Sequence, residues 1–166
     1  MGKALQTAAK AGRLDEVPIG AVIVKDGRII GSGYNRRETA ADPTAHAELL
    51  AIRRAAARLK AWRLTGATLY VTLEPCPMCM GAIILARLDR LVFGCFDPKA
   101  GAAGSLYDLA SDNRFNHRLP VTSGVRQAEC SAILSNFFRA LRARKRQTPP
   151  AGDESTESCG KVSPNA

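Results

Sequence analysis

Two short runs of this 166-residue chain carry side chains of the types and spacing that hold metals. Cys76-Pro-Met-Cys79 sets two thiols three residues apart, and His46-Ala-Glu48 sets an imidazole two residues from a carboxylate. A Cys-x-x-Cys pair alone reads three ways: structural zinc, redox dithiol, or part of a catalytic metal site. Thiols three apart at a helix start share a face near the positive end of the dipole. That placement lowers thiol pKa and suits a metal-bound or a reactive thiolate alike. The histidine tips the balance. One nitrogen and two sulfurs make three zinc ligands, and three leave the open position that marks a catalytic rather than a structural zinc. A fourth ligand would have to be Cys95, Cys130 or His117, and none stands at the spacing of a zinc ribbon or finger. Two residues apart on a helix is about 200° of rotation, so His46 and Glu48 converge only on a site at the helix end. Glu48 would then approach a metal-bound water from beside it, as a base and not a ligand.

The elements that must bring these runs together are legible around them. Leu5, Ala8, Ala9 and Leu14 mark a helical stripe over residues 1–13, with Gly12 as its stop. Ile19 to Val24 and Arg28 to Ile30, joined by Asp26-Gly27, read as a β-hairpin. Asp42-Pro43-Thr44 opens a helix to Lys60, with Asp42 as N-cap, Pro43 in first position and His46 in the first turn. Ala67 to Leu73 is a strand, Pro75 opens a second helix through Leu85, and Arg90 to Phe93 is the next strand. Residues 97–104 form a loop, Val121 to Val125 a last short strand. A final helix from Ala128 to Arg146 buries Ile133, Leu134, Phe137, Phe138 and Leu141. Strands alternating with helices give an α/β sheet covered on both faces, mixed because a hairpin precedes the βαβ units. Two parallel crossovers put both helix starts at one sheet edge, where α/β proteins place their ligands.

Composition narrows the class. At 46% hydrophobic and 23% charged residues the chain is one globular domain, expected over 1–146. Residues 147–166, rich in Pro, Ser and acids, are expected to form a disordered tail. No run approaches the roughly 18 apolar residues of a membrane helix, and no apolar stretch near Met1 resembles a secretory signal. Five cysteines, an odd count, read as reduced thiols in a cytoplasmic protein. The net charge is +9, and residues 139–146 alone carry five basic side chains. That density suits a polyanionic partner, and a merely solvated helix face is the other reading.

His46-Ala-Glu48 with Pro75-Cys76-x-x-Cys79 resembles the signature of the zinc-dependent cytidine and nucleic-acid deaminases. The likeness extends over residues 1–146 and narrows to the bacterial tRNA-specific adenosine deaminases of the TadA type. It is carried by Val17 to Val24, Asp42 to Glu48, Thr68 to Cys76, Gly101 to Leu106, Asn116-His117 and Phe137 to Arg139. The resemblance implies a cytidine deaminase-like three-layer α/β/α fold with about five strands. It implies one zinc per subunit on His46, Cys76 and Cys79, with water or hydroxide in the fourth position, and Glu48 as proton shuttle. It implies a homodimer that converts adenosine to inosine at the wobble position of a tRNA anticodon stem-loop. Asn35 would contact the purine, Asp97 a ribose hydroxyl and Lys99 a phosphate, with Asn116, His117, Phe138 and Arg139 as further RNA contacts. The alternatives are a deaminase of a free nucleobase or nucleoside and a non-catalytic zinc-stabilised RNA-binding protein.

Overall fold

The hairpin around Asp26-Gly27 forms, and its second arm runs four residues past the expected Ile30, to Tyr34. The computed structural model describes residues 1–147, so past Gln147 the expected tail, with Cys159, lies outside the described residues. In chain order the elements are α1 (Gly2–Gly12), β1 (Gly20–Lys25), β2 (Arg28–Tyr34), α2 (Ala47–Leu59) and β3 (Ala67–Leu73), then α3 (Pro77–Leu85), β4 (Arg90–Cys95), β5 (Val121–Thr122) and α4 (Gln127–Gln147). The strands lie in the order β2-β1-β3-β4-β5. Strand β1 is antiparallel to both neighbours, and β3, β4 and β5 are mutually parallel. Because β1 opposes both β2 and β3, those two point the same way. Helices α2 and α3, which follow them, therefore start at the same edge.

Successive strand residues face opposite sides. Ala21, Ile23, Leu69, Val71, Leu91 and Phe93 join the buried cluster that takes in Ala51 and Ala55 of α2 and Met80 and Ile83 of α3. On the other side, Gly20 meets α1 and Gly94 meets Cys130 of α4. The sheet is thus sandwiched between two helical layers.

Helix α2 rests almost directly on the backbone of β2. A Cβ on Gly33 would collide with the Ala47 carbonyl and lie 2.8 Å from the Ala51 nitrogen. That contact sets the height of the first turn of α2, and so of Glu48, above the sheet. Gly33→Ala is expected to cost about 1–3 kcal/mol by overpacking and to weaken metal binding with it. Thermal melts and metal titration of the variant check both effects.

The helix starts correct the sequence expectation. Helix α2 begins at Ala47, not Pro43. Asp42 caps a local turn instead, its Oδ1 accepting from the Thr44 N–H at 2.8 Å and the Thr44 hydroxyl at 2.7 Å. His46 is left outside the helix as the N-cap residue, extended at φ −75°, ψ 151°. Helix α3 begins at Pro77, not Pro75, with Cys76 as N-cap at φ −73°, ψ 172°. The proline that follows Cys76 disfavours helical geometry at the residue before it, which explains the late start.

The stripe of α1 is also shifted. Its buried residues are Ala4, Thr7, Ala8 and Ala11, while Leu14 is exposed. Gly20 lets α1 approach until only small side chains fit between helix and strand. Helix α4 buries only Cys130 fully; Ile133, Leu134, Phe137 and Leu141 are half-buried and Phe138 is 40% exposed. A 21-residue helix is about 31 Å long at 1.5 Å per residue and outruns a sheet whose edge strand has two residues.

Candidate active site

His46 and Cys76 occupy matching places, each the extended residue ahead of a helix at the shared sheet edge. Cys79 follows one turn into α3. The Nδ1 of His46 lies 3.8 Å from Cys76 Sγ and 3.5 Å from Cys79 Sγ, and the three ligand atoms all fall within 4.8 Å of one another. Tetrahedral zinc with bonds of about 2.3 Å to sulfur and 2.0 Å to nitrogen puts S and N about 3.5 Å apart. The donor set, one imidazole and two thiols, is also one zinc prefers. This group can hold a metal ion. The site lies at the helix ends as expected, but of His46 and Glu48 only Glu48 is in the first turn of α2.

Without metal the two thiols divide one proton unequally. A hydrogen bond from Cys79 draws Cys76 down to about 4, helped by His46 and opposed by burial. Cys79, holding that proton and buried, is pushed far up. The bond to Cys76 raises His46. Glu48, 4% exposed, is pushed up to about 7 by burial, with the His46 charge pulling the other way. Its ordinary value is 4.5, so as pH rises the unfolded chain ionises first. Stability from the protonated Glu48 is full below about 4.5 and lost through about 7, on the order of 3 kcal/mol. In chelator-treated protein, Glu48→Gln should therefore gain on the wild type between pH 5 and pH 8 in urea unfolding.

His46, Glu48 and Cys76 open into a cavity of about 610 Å³ whose walls also include Asn35, Asp97, Lys99 and Phe138. Cys79 is buried behind it. Arg139 lies beside it, in a groove shared with Lys99, Phe138 and Arg142. Asn116 and His117 are elsewhere. They border a separate cleft, and the His117 Nε2 is 2.7 Å from the carbonyl of Leu88, at the opposite edge of the sheet.

Two buried acids that support the cavity were not foreseen. Glu74, at the exit of β3, accepts from the backbone N–H of Asp97 at 3.0 Å, Ala103 at 3.0 Å and Ser105 at 2.9 Å, and from the Ser105 hydroxyl. Burial works against its charge, yet these four bonds hold its carboxyl below the usual range. They tie down the loop carrying Asp97 and Lys99. Glu16, ahead of β1, accepts from Asn35 and Thr39. The available signal was an acid next to an apolar strand, just before Pro75-Cys76 in one case and Val17-Pro18 in the other.

Comparison with known proteins agrees with this geometry. A family model described as MafB19-like deaminase matches residues 1–142. The chain is 53% identical over 146 residues to a tRNA-specific adenosine deaminase of Bacillus subtilis (strain 168), covering 88% of this chain and 91% of that protein. It is 52% identical over 147 residues to the Haemophilus influenzae protein of the same description, covering 88% and 85%. A solved structure from work on A-to-I editing by tRNA:A34 deaminases at the wobble position of transfer RNA gives a TM-score of 0.76 at 50% identity, over 79% of this chain and 95% of that one. A guanine deaminase from Nitrosomonas europaea gives 0.69 at 25% identity, over 82% and 81%. Among the described residues no helix is long and apolar enough to cross a membrane. With that likeness running through nearly the whole described chain, the protein belongs to the MafB19-like deaminases and, among them, to the tRNA-specific adenosine deaminases.

Proposed function

We propose that this protein deaminates adenosine to inosine at the wobble position of a tRNA anticodon loop, with zinc on His46, Cys76 and Cys79. The observation that carries the chemistry is the ligand group opening beside buried Glu48 onto the cavity. Zinc, when bound, supplies an activated water at neutral pH by lowering that water's pKa to about 7. Glu48, the buried carboxyl beside the ligand group, can take a proton and give it back. It accepts the proton released as the C6–O bond forms and passes it to the ring nitrogen, then takes the proton of the new C6 hydroxyl and gives it to the amine as the C6–N bond breaks, leaving the C6 carbonyl. Adenosine and water go in; inosine and ammonia come out. The cavity wall at Asn35 and Asp97 would hold the nucleoside, and the Lys99, Arg139 and Arg142 groove would hold flanking phosphates.

A homodimer fits the outer face of α3, where Met78 and Leu85 leave apolar surface exposed, Leu85 to 69%. A cytoplasmic location follows from the tRNA substrate. The likeness to the guanine deaminase favours a second reading, turnover of a free base or nucleoside. The basic groove beside the cavity weighs against it, since a free nucleoside has no phosphates to place there. Inosine formation on an anticodon stem-loop, run beside free adenosine, cytidine and guanine and a Glu48→Ala control, separates the readings. Inosine in the RNA alone supports the proposal, and turnover of a free base or nucleoside with the stem-loop untouched overturns it. Zinc binding without any turnover would overturn the enzyme reading and favour a non-catalytic, zinc-stabilised RNA-binding protein.

A further inference from the structure

Glu16 stands in the link between α1 and β1 with none of its surface exposed. Its carboxylate takes three donors. Oε1 accepts from the Thr39 N–H at 2.7 Å and the Thr39 hydroxyl at 2.9 Å, and Oε2 accepts from Asn35 Nδ2 at 3.0 Å. A carboxylate offers acceptors only, so the Asn35 amide has one orientation that satisfies it, with Nδ2 inward. The carbonyl Oδ1 is then left to the cavity that Asn35 lines. The backbone of Asn35 is fixed as well, its N–H donating to the Ile19 carbonyl at 3.1 Å. We propose that Glu16 is a positioning residue that sets the polarity of Asn35, presenting an acceptor to a hydroxyl or amine donor of the substrate. The proposal rests on the cavity being the substrate site.

An amide flip exchanges donor and acceptor without changing shape, so packing alone cannot choose between the two orientations. The substitution Glu16→Gln reverses the choice. Thr39 supplies two donors, so the carbonyl oxygen of the new amide must stay with it, and the new NH2 group then faces Asn35. Asn35 can answer only by turning Oδ1 inward and Nδ2 toward the cavity.

Glu16 also braces the loop through Thr39, and the test must separate the two roles. Glu16→Gln is made in the zinc-loaded wild type and in an Asn35→Ala background, and kcat/KM is measured on the anticodon stem-loop. The expected result is a loss of about tenfold in the wild type and less than about twofold where no amide remains to be oriented. Equal losses in both backgrounds would show that Glu16 only braces the loop, and no loss in the wild type would also overturn the proposal. A second arm needs no substrate. The Asn35 side-chain amide protons, identified by their absence from the Asn35→Ala spectrum, are expected to exchange slowly with solvent and to speed up at least about tenfold in Glu16→Gln. Fast exchange in the wild type would overturn the proposal. If the wild type leaves the RNA unedited, the substrate assignment falls, and the amide protons still decide the role of Glu16.

Discussion

Glu48→Gln is expected to lower turnover of the stem-loop adenosine at least about a hundredfold while metal content stays at the wild-type level. A positioned general acid–base is worth about 10²–10⁴ in rate, and Glu48 is the buried carboxyl beside the ligand group. It is not one of the three ligand atoms, so its loss leaves the metal group whole. Glutamine keeps the size and planarity of the side chain and cannot take up a proton at neutral pH. In chelator-treated protein it also relieves the burial of a charge, so there the variant should melt higher than the wild type above pH 7. Inosine yield, metal analysis and a melt at pH 8 together make the check. Retained turnover would remove Glu48 from the chemistry. Lost turnover with lost metal would make it a structural prop.

Cys79→Ala is expected to abolish both metal binding and activity, and its stability should match that of chelated wild type. A ligand bound to the folded chain alone stabilises it by RT ln(1 + [L]/Kd), about 4 kcal/mol at a thousandfold excess over Kd. Chelation should therefore lower the wild-type melt by several degrees and leave Cys79→Ala unmoved. Cys79 is fully buried, and it supplies the proton that Cys76 leans on when metal is absent. Its removal should consequently also return the Cys76 thiol toward its ordinary range, visible in the pH dependence of alkylation. A redox dithiol would behave in the opposite way, responding to reductant and ignoring the chelator.

The His46, Cys76 and Cys79 group and the centres of the strands were legible because each is written locally, while β2 runs on past Ile30 and β5 stops at Thr122, short of the expected Val125. Cys76-x-x-Cys79, His46-x-Glu48 and the β-rich run Ala67–Leu73 announce themselves within a few residues. Helix starts were misplaced because Pro77 acts on the residue before it, and Asp42 satisfied a nearer turn than the helix. The stripe of α1 was misread because its partner, Gly20, lies outside the helix. Glu16 and Glu74 were illegible for a further reason. Their partners lie 19 to 31 residues away and are mostly backbone amides, which leave no mark on side-chain identity. Asn116 and His117 show the converse, a local match whose position the fold sets at the far edge of the sheet.

The grip of Glu74 on its loop has an evolutionary consequence. Three of its four donors are main-chain N–H groups, which every residue except proline supplies. Lys99 and Ala100, which touch the cavity, contribute nothing to that grip. Their side chains can be exchanged one at a time while the loop keeps its course. Gly101 has no such freedom, because any side chain there would run into the Glu74 carboxyl. Adaptation to a new nucleic-acid context can therefore proceed by single replacements along the rim of the cavity, each leaving a folded protein for the next.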